Sequence, residues 1–141
     1  MICKTIQFNL KTAGYCDIID ITSQVEAAQR SSGLESGLCT VFIPGSTAGV
    51  TTIEAEPGAM RDLKECIEHL VPQDRHFHHD ARWGDGNGFS HVRAALLGPG
   101  LSIPVHDGGL GLGTWQQIVL VDFDNRPRDR RVQIQLIGEG S

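Results

Sequence analysis

Nothing in this 141-residue sequence reads as a zinc ribbon or a dithiol redox motif, because its four cysteines, Cys3, Cys16, Cys39 and Cys66, are scattered and form no C-x-x-C pair. Free thiols in a reducing compartment are expected. No apolar run reaches the length needed to cross a bilayer, and no charged, apolar and small-residue succession opens the chain as a signal peptide would. A cytoplasmic location with no membrane partner is therefore expected. Cationic excess is absent too: 12 Lys and Arg stand against 17 Asp and Glu, a formal charge of −5 that repels phosphate backbones. Nucleic acid is not expected as a partner. There is no internal repeat, low-complexity tract or interdomain linker, so residues 1–141 are expected to form one domain, long enough to bury a core without staples.

Glycine is what the sequence has in excess, at 17 residues, which suits a strand-rich chain with many tight turns. Ile6, Phe8 and Leu10 alternate with polar neighbours, the period of a half-buried strand, and a short strand is expected at Asp17 to Ile21. Thr22 to Ser32 lacks glycine and proline and is followed by Gly33, where a left-handed cap is expected, so it reads as a first helix. Leu38 to Ile43 and Val50 to Ile53 read as strands around a Pro44–Gly49 connection. Pro57, then Met60, Leu63, Ile67 and Leu70 at three- and four-residue steps, mark a second, amphipathic helix ending before Pro72. Gln73 to Ser90 reads as a polar loop. Val92 to Leu97, Leu101 to Val105, Trp115 to Phe123 and Arg131 to Ile137 read as four further strands. The expected fold is α+β, a mostly antiparallel, sandwich-like sheet carrying two helices.

The strongest chemical constellation is His76, His78, His79, Asp80, Asp85, Asn87 and His91, because imidazoles and carboxylates together supply metal ligands and proton-transfer groups. His91 is expected at the start of a strand, on a rigid rim beside mobile backbone. In the Pro44–Glu54 segment, Ser46, Thr47 and the glycines can turn donors toward an anion, or can simply make a tight connection with Thr on strand faces. The Asp107–Gln116 run lacks dinucleotide-binding spacing and reads as a hairpin tip, with Trp115 as a packing surface. Arg126, Arg128, Arg130 and Arg131 make either a solvated turn or a phosphate clamp.

The stretches VFIPGSTAGVTTIE, RWGDGNGFSHVRAALLGPGLSIPV and LGTWQQIVLVDFDNRPRDRRV resemble the YjbQ-type family known as secondary thiamine-phosphate synthase, and the likeness covers nearly the whole chain. It implies a β-sandwich-like α+β fold, a homotrimer, and the joining of hydroxymethylpyrimidine diphosphate to a thiazole phosphate, with Mg2+ for turnover. His79, Asn87, His91, Glu54 and Trp115 fall on matching positions, whereas Gly45 and Phe89 stand where relatives often carry polar ligands. Residues and resemblance together nominate His91, Glu54 and Asn87 as catalytic. Ser46, Thr47, Asp85, Trp115, Arg126 and Arg128 are nominated as contacts to a small phosphorylated substrate. His79 and His91 are the expected ligands of a divalent metal, Zn2+ at the histidines, with Glu54 or Asp85 as a third. The alternative expectation is a non-catalytic trimer that binds a phosphorylated metabolite or a metal ion.

Overall fold

The period-two alternation around Phe8 runs, in a computed structural model describing residues 1–140, along a strand β1 (Ile2–Thr12) whose inner face carries Ile2, Ile6, Phe8 and Leu10. It pairs in antiparallel register with the equally long β8 (Arg128–Gly140), Phe8 opposite Val132 and Ile6 opposite Ile134. β8 pairs on its other side with β3 (Leu34–Phe42), which is followed across the sheet by β5 (Gly100–His106) and the two-residue β6 (Gly109–Leu110), giving the order β1-β8-β3-β5-β6. A second, three-stranded sheet has the order β2-β7-β4, from β2 (Asp17–Asp20), β7 (Gln117–Asp122) and β4 (Ala48–Ile53). Every pairing is antiparallel, as the short late turns required. Asp107 (φ 53°) and Gly108 (φ 72°) form the tip of the β5–β6 hairpin, two consecutive left-handed residues that match the twist of the strands they join.

The main core lies between the sheets, where Cys39, Val41, Ile134 and Leu136 of the larger meet Val50, Ile118 and Leu120 of the smaller. β7 is buried on both faces: Ile118 and Leu120 point into that core, while Val119, Val121 and Phe123 join Ala94, Ile67 and Leu97 in a second cluster on the far side. This is why Ile118–Val121 reads as an unbroken apolar run rather than an alternation. Helix α1 (Thr22–Ser32) buries Val25 and Ala28 against the main core and ends at Gly33 (φ 77°), the expected left-handed cap. Thr22 is the first helical residue. Its hydroxyl bonds Asp20 Oδ1 and accepts from the Ile118 N–H at 2.9 Å, tying the helix to β7.

α2 (Pro57–Leu70) starts where Pro57 predicts, with the Glu56 carboxylate accepting from the N–H groups of Gly58 and Ala59 at 2.6 and 2.8 Å. Those two bonds hold the Glu56 carboxyl below its ordinary range. No residue of α2 is fully buried, and Arg93, 3% exposed, ties the helix down by bonding the Val71 carbonyl and pairing with Glu68.

The segment after Pro72 departs from expectation. Gln73 to Ser90 is not a continuous loop: it holds α3 (His78–Trp83) and the first turn of α4 (Gly88–Leu97). Val92 to Leu97 is helical rather than a strand, so four helices replace the expected two and His91 sits on a helix, not on a sheet rim. The run VRAALL is apolar enough for a strand, but Ala and Leu are strong helix formers, and Phe89, Arg93 and Leu97 bury along one face at four-residue steps. Trp115 precedes its strand and lies in a turn. No helix among the described residues is long and apolar enough to cross a membrane.

Candidate functional site

α3 and α4 meet at a close corner. Gly84 and Gly86, both at φ 69°, turn the chain between them, and Gly88 packs so tightly on Phe77 that a Cβ there would overlap the ring. Asp80 on α3 accepts from the Gly88 N–H at 2.8 Å through Oδ1, capping α4 in place of Asn87, whose side chain makes no cap bond. This corner brings His79 and His91 together, their rings 4.3 Å apart at an interplanar angle of 40°.

His79, Asp80 and Asp85 offer three ligand atoms within 4.8 Å of one another. His79 Nδ1 stands 3.3 Å from Asp85 Oδ1 and 3.7 Å from Asp80 Oδ1, yet it is buried and makes no hydrogen bond. Asp80 Oδ1 is beyond hydrogen-bond distance, and misalignment accounts for the unbonded Asp85 Oδ1. A divalent cation held at about 2.1 Å by tetrahedral ligands separates them by about 3.4 Å, the spacing seen between His79 and Asp85. The donor set therefore fits a cation of the zinc type, with the free oxygens of Asp80 and Asp85 available.

His91 faces a cavity of about 240 Å³ that it lines with Gly45, Ser46, Ala48, Ala94, Ala95 and Pro99. Beneath the corner lies a buried charge network that the sequence reading did not single out. Asp124 accepts from Asn87 Nδ2 at 3.3 Å, Thr47 Oγ1 at 3.2 Å and the Arg128 guanidinium at 3.0 Å, and Asp122 pairs with Arg130. Burial works to raise the Asp124 pKa, but the Asn125 N–H, Asn87, Thr47 and Arg128 together outweigh it and hold the group below its ordinary value. The signal was present in LVDFDNRPRDR, where two acids alternate with Phe123 at the end of an otherwise apolar strand. The chain turns toward this network through Tyr15 (φ 52°) and Cys16 (φ 66°), with the Tyr15 N–H on the Asp124 carbonyl at 2.7 Å.

Of the nominated residues, His79, Asp85 and His91 gather at the corner, Asn87 braces it, and Ser46 shares the His91 cavity. Thr47 is buried in the network, where it also accepts from Arg130 Nη2 at 2.7 Å, so it supports the site rather than facing it. Arg128 is engaged by Asp124, and Arg126 is exposed. Glu54 and Trp115 do not join the others. Ala48 lines the His91 cavity, and Glu54 lies six residues further along, about 20 Å away at strand rise. Trp115 is 73% exposed in the turn entering β7, whose Gln117 pairs with Ile53, so it belongs to Glu54's end of the sheet. Of the two acids expected as a third ligand, Asp85 and not Glu54 lies beside His79, and Asp80 rather than His91 completes the group whose ligand atoms lie within 4.8 Å of one another.

The sequence pattern of the family described as UPF0047 protein YjbQ-like matches residues 6–139. A UPF0047 protein of Archaeoglobus fulgidus is 40% identical over 132 residues, covering 94% of this chain and all of that protein, and YugU of Bacillus subtilis is 35% identical over 96% and 98%. Among solved structures, a hypothetical protein of Aeropyrum pernix superposes with a TM-score of 0.90 at 35% identity, covering 96% of this chain and 99% of that one. One from Sulfolobus solfataricus, described as of unknown function, does so with 0.88 at 32% identity, covering 97% and 99%. These relatives are described as UPF0047 proteins, as hypothetical or as of unknown function, and none of them as a thiamine-phosphate synthase. The synthase activity expected from the resemblance is thus corrected: what the likeness supports is the family and its curled antiparallel α+β fold, not that reaction. The chain belongs to the YjbQ-like UPF0047 family.

Proposed function

We propose that this protein binds a divalent cation of the zinc type at His79, Asp80 and Asp85, with His91 beside it as the proton-exchanging group, and acts on a small ligand held in the Gly45, Ser46 and His91 cavity. The observation that carries this reading is the buried His79 Nδ1, without a hydrogen bond and 3.3 Å from a carboxylate oxygen. A buried polar atom left without a partner is costly, and a cation shared with Asp80 and Asp85 removes that cost. One imidazole with carboxylates favours Zn2+ over Mg2+, which prefers an all-oxygen octahedron. When bound, the ion supplies Lewis acidity and positive charge to an anionic ligand.

The chain's own residues do the rest. Asp80 caps α4 and so fixes where His91 points. Asn87, tied to the Asp124 carboxylate, braces the same turn. His91 holds or gives up a proton at the cavity wall, and the apolar Ala48, Ala94 and Ala95 narrow the room for water. Metal analysis after loading with Zn2+ and gel filtration tests the reading. One ion per chain is expected, retained in His91→Ala and lost in His79→Ala. Full occupancy in His79→Ala and Asp85→Asn together removes it.

Self-association as a homotrimer belongs to this proposal too. Leu38, Phe42 and Ile137, between 41% and 51% exposed, lie on the outer face of the larger sheet, with Leu38 directly opposite Ile137. Such a patch supports burial against another copy. Light scattering that reads a monomer at micromolar concentration removes it.

A further inference from the structure

A second cavity shares Gly45 with the cavity that His91 lines. Its volume is about 940 Å³, and Asn9, Lys11, Gly45, Arg128, Arg130 and Arg131 are among its lining residues. In a chain of charge −5, four of the 12 Lys and Arg converge here against a single acid of the lining, Asp129. The register explains part of the convergence: Asn9 pairs with Arg131 and Lys11 with Asp129, which places Asn9, Lys11, Asp129 and Arg131 on the outer face of β1 and β8. Arg128 and Arg130 start from the inner face and belong to the buried network.

Their charges are not equally engaged. Arg130 is 6% exposed and uses Nε and Nη2 on Asp122 and Thr47, but Nη1 makes no hydrogen bond. That nitrogen would stand 3.4 Å from a Cβ on Gly45, so the missing side chain is what leaves it open. Gly45 is exposed at φ 117°, a conformation glycine adopts without strain, and it lines both cavities. Lys11 and Arg131 are exposed and form no ion pair among the described residues.

We propose that this cleft binds the oxyanion group, phosphate or carboxylate, of a small organic ligand through Lys11, Arg131 and the Nη1 of Arg130, with the rest of the ligand passing Gly45 toward the His91 cavity. Planar guanidinium groups match either oxyanion with paired N–H donors, and the Asp122 partner holds Arg130 in position before the ligand arrives. The two sources share this chemistry and differ in charge. The site adds an anionic ligand to the cation reading above and stands without it, since none of its donors is a cation ligand.

NMR titration of the full, metal-free chain at low ionic strength separates the outcomes, with inorganic phosphate in one series and acetate in the other. Saturable shifts at Lys11, Gly45 and Arg131 are expected, and the removal of one charge-assisted bond in Arg131→Ala is expected to weaken binding about tenfold. Response to phosphate alone assigns a phosphate ester, and response to both assigns oxyanions generally. Arg131 and Lys11 are exposed, so their Ala variants keep the wild-type spectrum elsewhere. Arg61→Ala, on the exposed α2 surface, is the control and His79→Ala the separator: both should bind phosphate as the wild type does. No saturable shift with either anion, or equal weakening in Arg61→Ala and Arg131→Ala, overturns the proposal.

Discussion

Arg130 clasps Asp122 with two nitrogens, Nε at 2.6 Å from Oδ2 and Nη2 at 2.9 Å from Oδ1, in a site where the aspartate is fully buried. Thr12 adds a third bond to the same carboxylate at 2.6 Å. Removing one partner of such a pair strands the other charge. Arg130→Ala is expected to cost about 3–5 kcal/mol in urea unfolding, and an Arg130→Met, Asp122→Asn double variant should recover part of that loss. A single variant as stable as the wild type would mean that the pair adds nothing to the fold.

Asp124 sets an acid limit. Its folded pKa lies below the ordinary 3.8, so its contribution is present in full above that value and is lost as pH falls through the lowered folded pKa. Between pH 6 and pH 3 the wild-type melting temperature should therefore fall. Asp124→Asn should start lower and decline less steeply. Parallel curves would show that other carboxylates carry the acid response.

Metal should stabilise the α3–α4 corner. Zn2+ at a hundred times its dissociation constant adds about 2.7 kcal/mol to a protein that binds it only when folded. A corresponding rise in melting temperature is expected for the wild type, abolished by chelator and absent in His79→Ala. A rise of the same size in the variant points to adventitious binding elsewhere.

Gly37 and Gly138 face each other across β3 and β8, each at φ 153°, and a Cβ on either would overlap the opposing backbone. Gly138→Ala should therefore part the two strands locally. An unfolding free energy lower by about 2 kcal/mol or more is expected, with the loss of amide protection starting at Leu38 and Ile137. Unchanged protection there would show that the strands shift without opening.

Arg93 is the main tie of α2, through the Val71 carbonyl and Glu68, a carboxylate that its burial tends to raise but that the Arg93 bonds hold below the ordinary range. Arg93→Ala should speed hydrogen exchange across Pro57–Leu70 by about tenfold or more while the larger sheet keeps its protection. Uniform acceleration across the chain would mean that α2 and the sheets open together.

Strands and helices with a clear period were legible because their periodicity is a property of the chain alone. β1 announced itself through Ile6, Phe8 and Leu10, and α2 through Met60, Leu63, Ile67 and Leu70. α4 was not legible in that way. Its run Val92–Leu97, apolar but for Arg93, satisfies either element, and what selects the helix is the face formed by Phe89, Arg93 and Leu97 meeting Val71, α2 and β7. The grouping of sites followed the same division. His79, Asp85 and His91 are neighbours within a dozen or so residues, so their meeting could be anticipated, whereas Glu54 and Trp115 resembled site residues by type and landed at the other end of β4.

By itself, the sequence determined the α+β class, the antiparallel pairing and the residue types able to hold a cation, since these depend on local period, turn chemistry and side-chain donors. Only the tertiary structure decided that β7 lies between two apolar layers, that Arg130 and Asp122 bury each other, and that Gly45 joins a basic cleft to the His91 cavity. Each of those depends on residues from distant elements reaching contact, and such contacts are fixed by register and by the stacking of two sheets, which no local pattern encodes.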